Sequence, residues 1–135
     1  MIDHIGIDVS NMEAAKAFYT AALAPLQIGI IVEVTAEQTG SRGYVGMGAE
    51  GRPFFWFGPG MGPISPVHIA FRAQSRAQVD AFYAAALANG GQDNGPPGLR
   101  PSYHEHYYGA FVLDPDSHNI EAVCHAPSDA RPRLS

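Results

Sequence analysis

Basic side chains and cysteine are scarce in this 135-residue chain. Lys and Arg number 8 against 13 Asp and Glu, giving a net charge of −5, so we expect no basic surface that would bind nucleic acid. The single cysteine, Cys124, cannot form an internal disulfide and is expected to be a small buried side chain. The first residues lack the basic and apolar segments of a secretory signal, and no hydrophobic run is long enough to cross a membrane. We therefore expect a cytoplasmic protein with neither a nucleic-acid nor a membrane partner.

The remaining composition is that of a globular protein. Hydrophobic residues make up 46% of the chain and charged residues 16%, which excludes a disordered chain or a coiled coil. The 15 Gly and 11 Pro predict many turns rather than long helices. The length is that of one domain with one hydrophobic core.

One internal repeat organises the chain. Residues 3–24 match residues 67–88 at an offset of 64 positions, with nine identities in 22, including a shared His-Ile and a shared Phe-Tyr pair. The Gly/Pro-rich segment 59–66 reads as a linker between two modules. We therefore expect a single domain over residues 1–125, built from modules 1–58 and 67–125. The polar residues 126–135 are expected to form a loosely ordered tail.

Each module is predicted to follow the order βαβββ, which makes the fold class α+β. Both modules open with an alternating apolar run that is typical of a strand with one buried face. A helix follows in each, with a predicted capping box at Ser10 and Glu13 and another at Ser75 and Gln78. Three strands fit each remainder, but in the second module Pro96, Pro97 and Pro101 interrupt the stretch assigned to the third strand.

The duplicated βαβββ unit is accompanied by an opening D-H-I, a central V-H-I-A-F and a closing D-P-D-x-x-x-I-E. Together these motifs resemble the vicinal oxygen chelate superfamily, which includes glyoxalases, extradiol dioxygenases, fosfomycin-modifying enzymes and bleomycin-binding proteins. The resemblance covers roughly residues 2–125. It implies a curled mixed sheet with a concave site and divalent-metal ligands on the first and last strands of the modules. Related proteins commonly pair, so we expect a homodimer, which leaves open whether a site forms within one chain or across two.

Carried over by position, the resemblance points to His4, His68 and Glu121 as metal ligands. Two imidazoles and one carboxylate suit Zn, Ni, Mn, Co or Fe(II), and three protein ligands leave positions open for water or substrate. The alternative is that the histidines are hydrogen-bonded within a sheet and that Glu121 is a surface carboxylate. In glyoxalases a fourth protein ligand completes the site, but the repeat offset places Phe57 or, after a one-residue slip, Trp56 at that position.

Four further residues are candidates for substrate contacts. Alternate members of the aromatic run 54–57 are expected to face the concave site, so Trp56 and Phe57 are candidates for an apolar pocket, the alternative being the core or a dimer contact. Asp8 and Arg72 share the strand parity of the two histidines and are expected to line the pocket or to form an ion pair at its rim.

The segment 103–108 is the most unusual in the chain. His104, His106 and Tyr108 are candidates for acid, base or orienting roles, the alternatives being a plain polar loop or a second metal site. The turn that begins at Asp114 precedes His118, which we expect to be exposed.

Three functions remain open at this stage. The first is a metal-dependent enzyme acting on a small molecule with vicinal oxygens, by lyase, isomerase or transferase chemistry. The second is a metal-free protein that binds a small molecule or confers antibiotic resistance through an apolar cup lined by Trp56 and Tyr108. The third is an extradiol ring-cleaving dioxygenase.

Overall fold

The structure is a computed structural model that describes residues 1–40 and 42–127. The first module contains β1 (Ile5–Val9), α1 (Met12–Leu23), β2 (Gly29–Val34), α2 (Ala36–Thr39), β3 (Tyr44–Ala49) and β4 (Arg52–Pro59). The second contains β5 (His68–Arg72), α3 (Arg76–Ala88), β6 (Gln92–Asp93), β7 (Gly98–Leu99), β8 (Tyr108–Leu113) and β9 (Asn119–Cys124). Most of the predicted tail, residues 128–135, lies outside the described residues. Among the described helices, none has the length and apolar character needed to span a membrane.

The strands form two mixed sheets, one for each module. The first sheet has the order β1-β4-β3-β2, and the second has the order β5-β9-β8-β6, with β7 also pairing with β8. In each sheet the first strand of the module runs parallel to the last, and the remaining pairs are antiparallel. The predicted α+β architecture of two tandem βαβββ modules is confirmed.

The two modules differ where their sequences differ. The first carries the short extra helix α2 between β2 and β3. In the second, the strand after α3 is reduced to the two-residue pieces β6 and β7, with Pro96 and Pro97 between them. Because proline cannot donate a ladder hydrogen bond, this stretch cannot continue as one strand.

The helix starts agree only partly with the predicted capping boxes. Ser75 caps α3 as expected, accepting from the Gln78 amide at 3.2 Å. At α1, however, the cap is Asn11, whose Oδ1 accepts from the Ala14 amide at 3.0 Å, so the predicted cap at Ser10 is wrong. Both residue types are good caps, and the chain enters the helix one residue later than the pattern indicated.

One hydrophobic core joins both modules. Helices α1 and α3 pack against each other, and the core contains apolar residues from both helices and both sheets. Burial alternates along the strands, as in β5, where Ile69 and Phe71 are buried while His68, Ala70 and Arg72 are exposed. The predicted burial of Cys124 is confirmed.

His118 does not lie on the surface as expected. Its side chain is 1% exposed and bonds to the backbone of both modules. The preceding turn is also buried in part, because Asp114 accepts a hydrogen bond from the Tyr19 hydroxyl of α1. The prediction of an exposed His118 is therefore wrong, since the turn docks against the first module.

Candidate functional site

Each sheet has one face against the helices and one turned away from them, which we call the open face. On the first sheet, Gly6 pairs with Trp56 on the open face. On the second, Ala70 pairs with Glu121, and His68 has the same strand parity as Ala70. The polar candidates therefore lie on two separate open faces of the same chain.

The clearest polar contact on an open face joins His68 to Glu121. His68 Nε2 lies 2.8 Å from Glu121 Oε1, and because a carboxylate oxygen only accepts, the imidazole nitrogen donates. The Glu121 side chain is 1% exposed, whereas that of His68 is 54% exposed. A carboxylate this deeply buried is costly unless it is paired. The pair thus presents a buried acid beside an accessible imidazole.

Tyr107 completes this cluster and was not singled out by the sequence as a site residue. Its hydroxyl donates to Oε2 of Glu121, while Oε1 bonds to His68. Burial, followed by the hydrogen bond to Glu121, raises the pKa of the Tyr107 phenol, so the hydroxyl remains a donor at neutral pH. Strand alternation could have identified Tyr107 as a site residue, because Tyr107 has the same parity as Gly109 and Phe111, which face away from the helices.

The chemistry of the His68–Glu121 pair fits a divalent metal. Two ligands held about 2.1 Å from one ion lie about 3.0–3.4 Å apart, so these donor atoms, now 2.8 Å apart, would have to separate by about 0.2–0.6 Å. The proton now between them would be displaced on binding. His4 does not join the pair: it precedes β1 on the other sheet, is exposed, and bonds through Nδ1 to Asp3 at 2.7 Å. Over residues 1–40 and 42–127, no group of three His, Cys, Asp or Glu side chains is placed to hold a metal.

Trp56 takes the place in the first module that Glu121 holds in the second. Gly6 and Ala70 are equivalent by the repeat offset, and Gly6 pairs with Trp56 as Ala70 pairs with Glu121. The offset alone indicated Phe57 or Trp56, and strand pairing selects Trp56. The position at which the resemblance to glyoxalases implies a fourth ligand is therefore occupied by an indole.

Phe57 itself belongs to the core. It is 1% exposed and packs against Tyr19 of α1, with ring centroids 5.3 Å apart. The predicted substrate contact for Phe57 is therefore wrong, because the alternation of β4 turns Phe57 toward the helices and Trp56 away from them.

The Trp56 indole lies flat on the open face of the first sheet. A Cβ atom added at Gly46 would fall 2.6 Å from the indole ring, so the absence of a side chain at Gly46 creates the space for it. Tyr44 packs on its edge at 5.6 Å between ring centroids. This face can offer an apolar, aromatic surface to a ligand.

Asp8 and Arg72 are both exposed on open faces, but on different sheets. Asp8 pairs with Gly58 in the first sheet and Arg72 pairs with Val123 in the second. In the described part of the chain no ion pair joins them. Their role as pocket residues stays a prediction.

His104 and His106 lie in the loop before β8. His104 Nδ1 accepts from the His106 amide at 3.1 Å, so the proton of a neutral His104 is on Nε2, which lies 2.6 Å from Nδ1 of His125. The His106 ring lies 3.8 Å from the Glu105 carboxylate. The structure does not bring either side chain into hydrogen-bond contact with His68 or Glu121.

Tyr108 lies on the helix side of its sheet. Its hydroxyl donates to Asp80 of α3 at 2.6 Å, and the Arg76 guanidinium lies over its ring. The predicted place of Tyr108 in the site is therefore wrong, because alternation along the strand gives that place to Tyr107.

The fold and the repeated site positions define a glyoxalase-like protein, and a family comparison names the group. The model of the Glyoxalase/Bleomycin resistance protein/Dioxygenase superfamily matches residues 1–122, so this chain belongs to that superfamily. No curated protein matches its sequence.

Solved structures agree with this assignment. A glyoxalase/bleomycin resistance protein from Albidiferax ferrireducens T118 is 30% identical, with a TM-score of 0.75 over 92% of this chain and 98% of that one. The fosfomycin resistance protein FosX from Listeria monocytogenes, in a crystal with Mn(II) and 1S,2S-dihydroxypropylphosphonic acid, is 19% identical, with a TM-score of 0.66 over 91% of this chain and 90% of that one. A glyoxalase I mutant from Zea mays is 17% identical, with a TM-score of 0.67 over 90% of this chain and 46% of that one. The last two likenesses concern the fold alone.

Proposed function

We propose that this protein is a metal-dependent enzyme that acts on a small molecule with two neighbouring oxygens. His68 and Glu121 of one copy and His4 of a second copy would hold the divalent metal. The observation that carries the proposal is the His68–Glu121 pair, in which a buried carboxylate and an accessible imidazole converge at 2.8 Å on an open face. A cytoplasmic, reducing location suits the free thiol of Cys124.

A second copy is invoked because the three expected ligands fall on two sheets of one chain. The repeat makes His4 and His68 equivalent, yet no described group of three ligands assembles within the chain. Ile5 in β1 and Val67 immediately before β5 are exposed apolar residues. Exposed apolar side chains favour association with another chain. A symmetric dimer would bring His4 of each copy to the pair on the other.

The roles of the chain's own residues follow from their positions. When bound, the divalent metal supplies Lewis-acid activation of the substrate oxygens. Trp56 of the copy that supplies His4 offers an apolar surface for the rest of the substrate, because His4 and Trp56 belong to the same module, and Arg72, on the open face with His68, offers a positive charge. His104 and His106 remain the candidates for proton transfer, with His125 beside His104 as a second imidazole.

Metal binding tests the core of the proposal. Protein purified without a chelating column is stripped and titrated with Mn(II), Zn(II), Ni(II), Co(II) and anaerobic Fe(II) by calorimetry. We expect one ion per chain, with at least a hundredfold weaker binding in His68→Ala and Glu121→Ala. Glu13→Ala, which removes an exposed carboxylate from the first turn of α1, is the matched control and should bind as the wild type does. Absence of stoichiometric binding in the wild type would overturn the proposal.

Mixed dimers test the contribution of His4. The His4→Ala and His68→Ala chains are co-expressed with different tags, and the heterodimer is isolated. If the site joins two copies, each variant homodimer lacks a tight metal site. The heterodimer regains one tight site per dimer, because one of its two sites receives only wild-type ligands. Equal loss in the heterodimer would show that the ligands do not come from different copies.

The same titrations separate the alternative functions. Selective binding of Fe(II), with oxygen consumption on catechols, would favour ring cleavage by an extradiol dioxygenase. A protein that binds no metal but whose Trp56 fluorescence responds to apolar ligands would be a metal-free binding or resistance protein. The flat, half-buried placement of Trp56 beside Tyr44 is the observation that favours this second candidate.

A further inference from the structure

Tyr107 reaches Glu121 by lying across the open face of its own sheet. The residue stands just before β8, and its ring extends along the strand over Gly109. A Cβ atom added at Gly109 would fall 3.2 Å from Cε1 of Tyr107 and 3.4 Å from Oε2 of Glu121. The bare backbone at Gly109 therefore gives both side chains the space in which they meet.

The two oxygens of Glu121 have different partners from different elements. Oε1 bonds to His68 on the neighbouring strand β5, and Oε2 accepts from the Tyr107 hydroxyl. A carboxylate fixed at Oε2 cannot rotate freely about its terminal bond. Oε1 is therefore held toward His68 whether or not an ion is present.

Tyr107 is itself fixed on several sides. Its carbonyl accepts from the Arg100 amide at 2.7 Å, and its own amide donates to the His104 carbonyl at 3.2 Å. The rings of Tyr103, His104 and His125 surround it at centroid distances of 4.9, 5.3 and 5.4 Å. The phenol is thus held in place by its surroundings, and its hydrogen bond sets the position of Glu121.

We infer that Tyr107 is a positioning residue that holds Glu121 in the orientation needed to bind a divalent metal together with His68. The inference rests on the proposed function, because it assigns Tyr107 a task only at that metal site. Partners that hydrogen-bond to metal ligands typically change metal affinity 10–100-fold when removed. Tyr107 acts through Glu121 and is not itself placed on the substrate.

The experiment compares the metal affinities of Tyr107→Phe and Tyr108→Phe by calorimetry, using the ion that the wild type binds best. Each variant loses one phenol hydroxyl that donates to a carboxylate, but Tyr108 donates to Asp80 on the helix side of the sheet. We expect binding to weaken about 10–100-fold in Tyr107→Phe and to stay within about twofold in Tyr108→Phe. A merely structural role for Tyr107 would lower the urea midpoint without this difference in metal affinity.

Gly109→Ala provides a second variant that keeps the hydroxyl. Its methyl group crowds the Tyr107 ring and Oε2 of Glu121, so we expect metal affinity to fall here as well. Wild-type metal affinity in Tyr107→Phe, with the wild type binding one ion per chain, would overturn the inference whatever the result for Gly109→Ala, and would leave the proposed function standing. A wild type that binds no metal would overturn both.

Discussion

His118 Nε2 donates to the carbonyl oxygen of Asp8 at 2.8 Å, a contact between residues 110 positions apart in the chain. On its other side, His118 Nδ1 accepts from the Val67 amide at 3.1 Å. Since Asp8 lies in β1 and Val67 immediately precedes β5, one buried imidazole joins the first strands of both modules. Both ring nitrogens are used, which fixes a neutral tautomer with its proton on Nε2.

Replacing this imidazole should destabilise the fold. In His118→Ala the Asp8 carbonyl and the Val67 amide lose their partner inside a closed structure, so we expect the free energy of unfolding to fall by about 2–4 kcal/mol. Urea unfolding followed by circular dichroism measures the change. His106→Ala, at an accessible loop position, should stay within about 0.5 kcal/mol of the wild type. A His118→Ala protein as stable as that control would show that the module contact does not depend on His118.

The cap of α1 gives a prediction in which neighbouring residues serve as test and control. Asn11→Ala removes the side chain that accepts from the Ala14 amide and should cost about 1 kcal/mol. Ser10→Ala should stay within about 0.5 kcal/mol, because Ser10 uses its backbone amide, which alanine keeps, to bond Asp116. Thermal unfolding of both variants measures the difference. The reverse order of stability would restore Ser10 as the cap.

The repeat and the strand alternation predicted the architecture because both depend on local sequence. A shared His-Ile at the start of each module and a helix after it were sufficient to place β1, β5, α1 and α3. Where the face of a residue depended on an exact strand register, the prediction failed by one position. Phe57 and Tyr108 were expected in the site together with Trp56, yet strand alternation turns Phe57 and Tyr108 toward the helices and leaves Trp56 and Tyr107 on the open faces.

Long-range contacts were not predictable from the sequence for a different reason. The burial of His118 depends on a turn that docks against the other module, and no local pattern encodes that docking. The His68–Glu121 pair was anticipated from the resemblance, since the two residues lie on adjacent parallel strands. The separation of His4 from that pair reflects how the two sheets are arranged, which strand patterns do not determine.

Two glycines in β3 should respond differently to alanine. At Gly46 the atoms nearest to the new methyl group belong to the Trp56 side-chain ring, whereas at Gly48 the methyl group would fall 1.8 Å from the backbone oxygen of Arg52. We expect Gly48→Ala to cost more than about 2 kcal/mol, because a backbone clash must shift the strand pairing, and Gly46→Ala to cost less.

Fluorescence distinguishes the two cases, since Trp56 is the chain's single tryptophan. Gly46→Ala should shift the emission of the folded protein as the indole is displaced. Gly48→Ala should mainly lower the urea midpoint. Unchanged emission in Gly46→Ala would mean that the indole does not lie over Gly46.

Tyr19 predicts an alkaline dependence of stability. Burial, followed by the charge of Asp114 and the hydrogen bond to it, raises the pKa of the Tyr19 phenol far above its ordinary value near 10. Above pH 10 the unfolded chain loses this proton while the native state keeps it, so the free energy of unfolding falls by about 1.4 kcal/mol per pH unit for this one group. The contribution is fully present below pH 10 and is lost progressively above it.

Tyr19→Phe should therefore change stability in two ways. At pH 7 it should cost about 1–3 kcal/mol, because Asp114 loses a buried hydrogen bond. Above pH 10 the free energy of unfolding should fall more steeply in the wild type than in Tyr19→Phe. The two slopes should differ by about 1.4 kcal/mol per pH unit, so that the stabilities of the two proteins converge. Urea unfolding at pH 7, 9, 10.5 and 11.5 measures both effects, with Tyr103→Phe at an exposed loop position as the control. Parallel pH profiles for Tyr19→Phe and the wild type would show that Tyr19 does not keep its proton in the native state.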